Sequence, residues 1–338
     1  MRFLENHPLS KRNTFHIQAT ARFYAEPETE AELKSLLASV TARNLPLMVL
    51  GGGSNIVFSG DYPGLVLRFA QRGVRCYAED ADHYFIEAGG GEPWHGFVLQ
   101  CLQQHWYGLE NLSLIPGTVG ASPIQNIGAY GVELTEVLHS LTAMEIRTGE
   151  LREFSHAQCR FGYRESVFKQ ELKGRYIITR VRFRLRKKPA VKTGYGDITR
   201  ELEAMGIAGE PTPRQLSDAI IAIRRRKLPD PDVLGNAGSF FKNPVIPAEQ
   251  FEALKVRFPD VVAYPQHDGV KLAAGWLIEQ AGWKGRRIGP VAAYEKQALV
   301  LVNYGGATGA DVMALAQAIQ AGVQEKFGVQ LDIEPLVY

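Results

Sequence analysis

Residues 114–131 read LIPGTVGASPIQNIGAYG. The stretch holds four glycines (Gly117, Gly120, Gly128, Gly131), two prolines (Pro116, Pro123) and no charged side chain. Neither a helical nor a strand period of apolar residues runs through it. What such a segment offers is its backbone: glycine lets main-chain amides approach a ligand closely, and successive amides can form an anion-binding nest. Loops longer than about 12–15 residues are uncommon inside compact domains and are usually functional. The stretch reads as a ligand cradle, with a long surface loop as the plain alternative.

Two shorter glycine runs accompany it. LGGGSN at 50–55 follows an apolar strand at 45–50, and Gly89-Gly90-Gly91 ends a strand at 84–88. The first run is not a dinucleotide fingerprint, because its spacing differs from GxGxxG. Residues 56–58 and 64–69 also read as strand, where that motif needs a helix N-terminus. A strand–loop–strand cradle and a simple tight turn explain it equally well.

Around these loops, Leu33, Leu36, Leu37 and Val40 give a helix over 29–43 one apolar face. Trp94, Phe97, Val98, Cys101 and Leu102 do the same over 93–105, with Pro93 suited to the first turn and His95 read as structural or exposed. Residues 138–146 and 150–154 form a hairpin at Thr148-Gly149, and 176–186 alternates as a strand whose arginines read as a solvated face. Lys187-Lys188-Pro189 marks a domain boundary. A helix over 213–226, capped by Thr212, ends in Arg224, Arg225, Arg226 and Lys227, which suit the negative end of the helix dipole. The last third reads as α+β, with helices at 247–256, 272–281 and 309–327 and strands at 298–302 and 329–333. Thr308 and Asp311 resemble a capping box. GNAGSFFKNP at 235–244 stands out there as glycine-rich and non-periodic, with Ser239, Lys242 and Asn243 as its polar groups.

A formal net charge of +2 over 338 residues gives no electrostatic case for nucleic acid or an anionic membrane. The length suggests about two domains. Cys76, Cys101 and Cys159 lie far apart without a CxxC pair, which argues against a zinc site or a disulfide framework; no metal is expected. Residues 1–15 lack an apolar leader and no apolar run reaches about 18 residues, so a cytoplasmic, reducing location is expected.

LGGGSN at 50–55, GLENLSLIPGTVGASPIQNIGAYGVEL at 108–134, CRFGYRES at 159–166, RRKLPDP at 225–231, GNAGSFFKNP at 235–244 and VKLAAGWLIEQ at 270–280 together resemble the UDP-N-acetylenolpyruvoylglucosamine reductases. These are flavoenzymes of bacterial cell-wall synthesis, and the resemblance runs from Asn13 to Glu334. KTGYGD around Tyr195 resembles the substrate-covering insertion of the family's type I branch. The resemblance implies an α+β fold: a two-lobed FAD-binding domain of the vanillyl-alcohol-oxidase type over 15–187, with lobes of 15–70 and 71–187. A connecting segment over 188–226 and a C-terminal substrate domain over 227–338 complete it. It also implies non-covalent FAD, NADPH as co-substrate, a nucleotide-sugar substrate, no nucleic-acid or membrane partner, a monomer, and the bacterial cytoplasm.

On this resemblance Gly51, Gly52, Gly53, Ser54 and Asn55 cradle the FAD pyrophosphate, and Pro116, Gly117, Ser122, Gln125, Gly128 and Tyr130 belong to the loop that holds the flavin. Covalent attachment through His95 is not expected. Hydride passes from NADPH through the flavin to the vinyl methylene carbon of the substrate. Arg164 then stabilises enolate-like charge, Ser239 donates the proton, and Glu334 hydrogen-bonds or orients the substrate carboxylate. Tyr195, Lys227, Asn243, Gln297 and one or both of Tyr264 and Lys271 surround the UDP-sugar. Without the family, Ser239 would read as a turn residue, Arg164 as a partner of Glu165 or Glu153, and Glu334 as part of a fraying terminus. A flavin oxidase on the same scaffold and a nucleotide-sugar binding protein without turnover are the competing readings. Neither calls for Arg164, Ser239 and Glu334 to act on one carbon.

Overall fold

The computed structural model describes residues 2–42, 44–266 and 269–338. The chain separates into two compact units. The first gathers the N-terminal residues through His7, Ala21–Gly52 and Pro63–Arg226; the second gathers Pro8–Thr20, Gly53–Tyr62 and Lys227–Tyr338.

The first unit holds two sheets. One runs in the order Arg2–Pro8, Thr20–Glu26, Tyr62–Leu67, Leu47–Val49, and its last two strands are parallel. Helix Glu30–Ala42 buries Leu33, Leu36, Leu37 and Val40 in one cluster with Ala25, Leu65 and Leu67, as the apolar spacing anticipates; Arg43, the last residue of the expected helix, lies outside the described residues. The other sheet is antiparallel throughout, in the order Leu151–Ser155, Leu138–Glu145, Tyr176–Arg186, His83–Gly89, Val74–Glu79. Helix Trp94–Gln103 shares its apolar cluster, with the Phe97 and Phe183 rings 4.8 Å apart. Pro93 sits in extended backbone at the cap, one residue ahead of the first turn where the sequence put it.

The arginine row of Tyr176–Arg186 is only partly solvated. Register places Arg182 opposite Glu87, so its Nε meets that carboxylate at 2.8 Å while its Nη1 reaches Glu153 at 3.0 Å. Arg180 pairs with Glu30. Partners on other strands (for Arg182) and on helix Glu30–Ala42 (for Arg180), invisible in a single strand, turn half of the row into ion pairs. Beyond it, helices Ile198–Ala204 and Pro213–Lys227 form their own cluster through Ile198, Leu202, Leu216, Ala219, Ile220 and Ile223.

The second unit carries an antiparallel sheet in the order Gly235–Ser239, Val300–Asn303, Val291–Ala293, Arg287–Ile288 and a three-stranded sheet of Val245–Ile246, Gly269–Leu272 and Ala263–Gln266. Helix Gly309–Phe327 matches its expected bounds, and its capping box is formed: Thr308 Oγ1 accepts the Asp311 N–H at 3.2 Å and Asp311 Oδ2 accepts the Thr308 N–H at 2.8 Å. Thr308→Ala should lower unfolding stability by about 1 kcal/mol, read by denaturant titration. The strand expected at 329–333 is corrected. Val329 and Leu331 are buried, but this run keeps only an isolated bridge between Ile333 and Phe241. Alternation there reports burial rather than a ladder. The true terminal strand is Leu336–Val337, which pairs parallel with Ile56–Val57. Among the described residues no helix is long and apolar enough to cross a membrane.

Candidate active site

In the first unit the glycine runs meet backbone to backbone. A Cβ on Gly52 would lie 2.7 Å from the Gly117 Cα, one on Gly51 3.0 Å from the Ala121 Cβ, and one on Gly120 2.9 Å from the Gly90 oxygen. Among the described residues nothing accepts a hydrogen bond from the main-chain N–H of Gly51, Gly52, Gly53 or Ser54. Consecutive main-chain amides without acceptors, with Gly53 in left-handed backbone (φ 66°), are the groups an anion such as the diphosphate of a dinucleotide would take. The cradle therefore fits FAD through its backbone.

The central loop is ordered by its own polar residues. Ser122 is buried and its Oγ donates to the Val119 carbonyl at 2.7 Å. Asn126, fully buried, donates to Glu133 Oε2 (2.8 Å) and the Gly162 carbonyl (3.0 Å) and accepts the Thr135 N–H at 3.0 Å. Pro116 is exposed and Gln125 half-buried. The Gly128 carbonyl accepts from Arg164 Nη2 at 2.9 Å. Arg164 itself sits in left-handed backbone (φ 56°) within a turn closed by mutual Gly162–Glu165 hydrogen bonds, which aims its side chain at the loop.

Arg224, which the sequence reading assigned to the helix dipole, has a more specific place. Its Nε donates to the Leu114 carbonyl at 3.2 Å, and its guanidinium interacts electrostatically with the Tyr130 phenol. Burial raises the Tyr130 pKa, against the opposing pull of that arginine; burial also lowers the Arg224 pKa. Arg224 and Arg164 feel each other's charge, so the loop ends beside two guanidiniums, a setting for an anion. Arg226, by contrast, pairs with Glu201 at 2.6 Å. Tyr195 is 46% exposed with its ring 6.2 Å from that of Tyr130. Asn111 joins their segments, donating to the Tyr130 carbonyl (3.0 Å) and the Lys192 carbonyl (2.9 Å). His95 is structural: its Nδ1 accepts the Leu114 N–H at 3.0 Å.

In the second unit Ser239 closes strand Gly235–Ser239, where the pairing with Val300–Asn303 shifts register between Asn236 and Ser239. Such a bulge re-aims a side chain. Gly238 supplies the positive φ (68°), and Asn236 Oδ1 fixes it by accepting its N–H at 2.9 Å. Asn236 Nδ2 donates to the carbonyls of Pro229 (3.1 Å) and Leu234 (2.8 Å), which makes it the hub of the turn. Ser239 is exposed, and among the described residues its hydroxyl has no hydrogen-bond partner. Glu334 is held beside it, its N–H donating to the Phe240 carbonyl at 2.9 Å. The terminus does not fray, because Leu336 and Tyr338 donate to the Asn55 and Val57 carbonyls, each at 3.0 Å.

Two of the remaining expected substrate residues of this unit, Asn243 and Gln297, meet the start of helix Ala274–Gln280. Asn243 Oδ1 accepts the Ala274 N–H at 2.9 Å. A Cβ on Gly275 would lie 2.9 Å from Gln297 Oε1. Lys271 faces Tyr264 across the strand pair with its Nζ 5.9 Å from the ring centre. Lys227, half-buried, ends helix Pro213–Lys227. Arg224, Asn111 and Asn236 were missed as site-building residues. All three lie within the quoted motifs or next to them; Arg224 and Asn111 act through side-chain bonds to distant backbone and Asn236 through bonds within its own turn, and neither leaves a periodic trace.

Open amides in the Gly51–Ser54 run and an exposed, unpartnered serine hydroxyl suit an FAD-binding oxidoreductase, and the comparisons with known proteins agree. Residues 21–155 match the FAD binding domain, and residues 230–338 match the UDP-N-acetylenolpyruvoylglucosamine reductase C-terminal domain. The reductase of that name from Burkholderia vietnamiensis is 58% identical over 335 residues, covering 98% of this chain and 96% of the relative. That of Paraburkholderia xenovorans is 57% identical, covering 99% and 97%. The crystal structure of the reductase from Thermus caldophilus shares the fold, with a TM-score of 0.66 at 23% identity over 100% of this chain and 98% of that one. The chain belongs to the UDP-N-acetylenolpyruvoylglucosamine reductase family.

Proposed function

We propose that the protein uses NADPH to reduce the enolpyruvyl ether of UDP-N-acetylglucosamine to UDP-N-acetylmuramate, in the bacterial cytoplasm, for peptidoglycan synthesis and hence cell shape and division. The observation that carries the reading is the exposed Ser239 hydroxyl, set on a bulge, unpartnered, and tied through Phe240 to Glu334. When bound, non-covalent FAD supplies hydride acceptance from NADPH and hydride delivery to the vinyl methylene carbon. The open amides of Gly51–Ser54, with Asn55, hold its diphosphate, and Pro116, Gly117, Ser122, Gln125, Gly128 and Tyr130 shape the loop around the flavin.

Arg164 opposes the substrate carboxylate, where a planar cation best meets charge that builds as hydride arrives. Ser239 gives its proton to the carbon beside that carboxylate. A hydroxyl is a weak acid, yet it suffices against a carbanion, which is a much stronger base. Glu334, fixed by its main chain, orients or hydrogen-bonds the carboxylate. Lys227 balances the UDP diphosphate, while Tyr195, Asn243, Gln297 and one or both of Tyr264 and Lys271 surround the nucleotide sugar. The division into an FAD domain (15–187), a linking segment and a substrate domain (227–338), acting as a monomer, belongs to the same reading.

Turnover of enolpyruvyl-UDP-N-acetylglucosamine with NADPH in D₂O tests it by mass spectrometry and NMR. The lactyl ether product should carry solvent deuterium on the carbon next to the carboxylate. NADPH oxidation without that product, matched by peroxide formation, would favour an oxidase.

A further inference from the structure

Given that loop 114–131 holds FAD, we infer that His95 is a positioning residue for that loop, its Nδ1 and the Arg224 guanidinium clamping Leu114 from two helices. Leu114 adopts φ 57°, a left-handed conformation that a residue with a Cβ holds only when its surroundings enforce it. The enforcement is visible. His95 Nδ1 takes the Leu114 N–H at 3.0 Å, and Arg224 Nε gives to the Leu114 carbonyl at 3.2 Å. The two preceding residues are held by the same helices. Buried Trp94 donates its Nε1–H to the Leu112 carbonyl at 2.9 Å, and the buried Ser113 hydroxyl bonds that of Ser217 at 2.7 Å. Leu112, Ser113 and Leu114 are thus stapled between helices Trp94–Gln103 and Pro213–Lys227 just where the loop begins.

The clamp has a protonation condition. An Nδ1 that accepts a hydrogen bond carries no proton, so the bound ring is neutral with its hydrogen on Nε2. Imidazolium would set two donors against each other. Burial, and then the cations Arg225, Arg224 and Arg214 of the facing helix, hold the His95 pKa below its usual value. Helix Trp94–Gln103 and the loop carry no carboxylate, and the carboxylates of the neighbouring elements are engaged elsewhere: Glu92 accepts the Gly73 N–H, Glu110 accepts the Gly108 N–H, and Asp218 of the facing helix pairs with Arg214 at 3.0 Å. Because the folded pKa is depressed, the contribution is complete above the unfolded histidine value. It is lost as pH falls from there through the folded value.

The test is equilibrium dialysis of the holoprotein to obtain the FAD dissociation constant at pH 7.5 and 5.5. Three chains are compared: wild type, His95→Asn, whose Oδ1 replaces Nδ1 without titrating, and His95→Ala. The wild-type constant should rise about threefold to tenfold on acidification, that of His95→Asn should stay near the wild-type value at pH 7.5, and that of His95→Ala should be weakened at both. Equal acid weakening in wild type and His95→Asn, or unchanged binding in His95→Ala, overturns the inference. Amide exchange at Leu114 reads the clamp with no flavin present. It should quicken in His95→Ala and not in His95→Asn, and equal rates in all three overturn the clamp whatever the cofactor. Failure of the wild type to bind FAD at pH 7.5, with exchange behaving as expected, would strike the cofactor reading and leave the clamp standing.

Discussion

Ser239→Ala is expected to keep its flavin, to be reduced by NADPH at the wild-type rate, and to return hydride to the enolpyruvyl substrate about 10²–10⁴-fold more slowly. Anaerobic stopped-flow absorbance separates the two steps. The substitution removes one oxygen from an exposed side chain that bonds to nothing among the described residues, so the fold has little to lose. The turn itself is set by Gly238 and Asn236, which remain. Loss confined to the second half-reaction is therefore a chemical effect. An equal loss in both halves would mean that Ser239 shapes the site rather than supplying a proton.

Gly53→Ala should be nearly as severe, but through structure. Its φ is 66°, and an added Cβ would overlap the Arg12 carbonyl oxygen, a main-chain atom that cannot rotate aside. The same residue's carbonyl accepts the Thr14 N–H at 3.0 Å, so moving the loop away breaks a second contact. Left-handed strain and overpacking together predict a loss of about 2–5 kcal/mol, with flavin released well before unfolding. Denaturant titration and the flavin-to-protein absorbance ratio measure both. Gly60→Ala, with nothing within 4 Å of its added Cβ, should be close to neutral.

How much of this was legible in the sequence depends on the range of the force involved. Helix Glu30–Ala42 and strand Tyr176–Arg186 are encoded by short-range apolar spacing and were read directly. The cradle was legible by what its sequence lacks, since a long uncharged, aperiodic glycine stretch has only its backbone to offer. Pairing over long separations was not legible. The parallel Ile56–Val57 and Leu336–Val337 strands draw a piece of the N-terminal region into the unit that carries Ser239 and anchor Glu334 near the terminus, where the chain alone suggests fraying. The same holds for Arg224. Four consecutive basic residues at a helix end look alike until the fold turns one of them to the Leu114 carbonyl and the Tyr130 phenol and another to Glu201. Asn236 gave a fainter sign, an asparagine two residues ahead of a glycine in a motif read for its serine.

An anaerobic half-reaction series on the purified protein tests the central claim most directly. The flavin spectrum is recorded, NADPH is added, and enolpyruvyl-UDP-N-acetylglucosamine follows. The visible absorbance should bleach with NADPH and return when that substrate is mixed in, without oxygen. A colourless protein, or reduced flavin that regains its colour only when air is admitted, would contradict it.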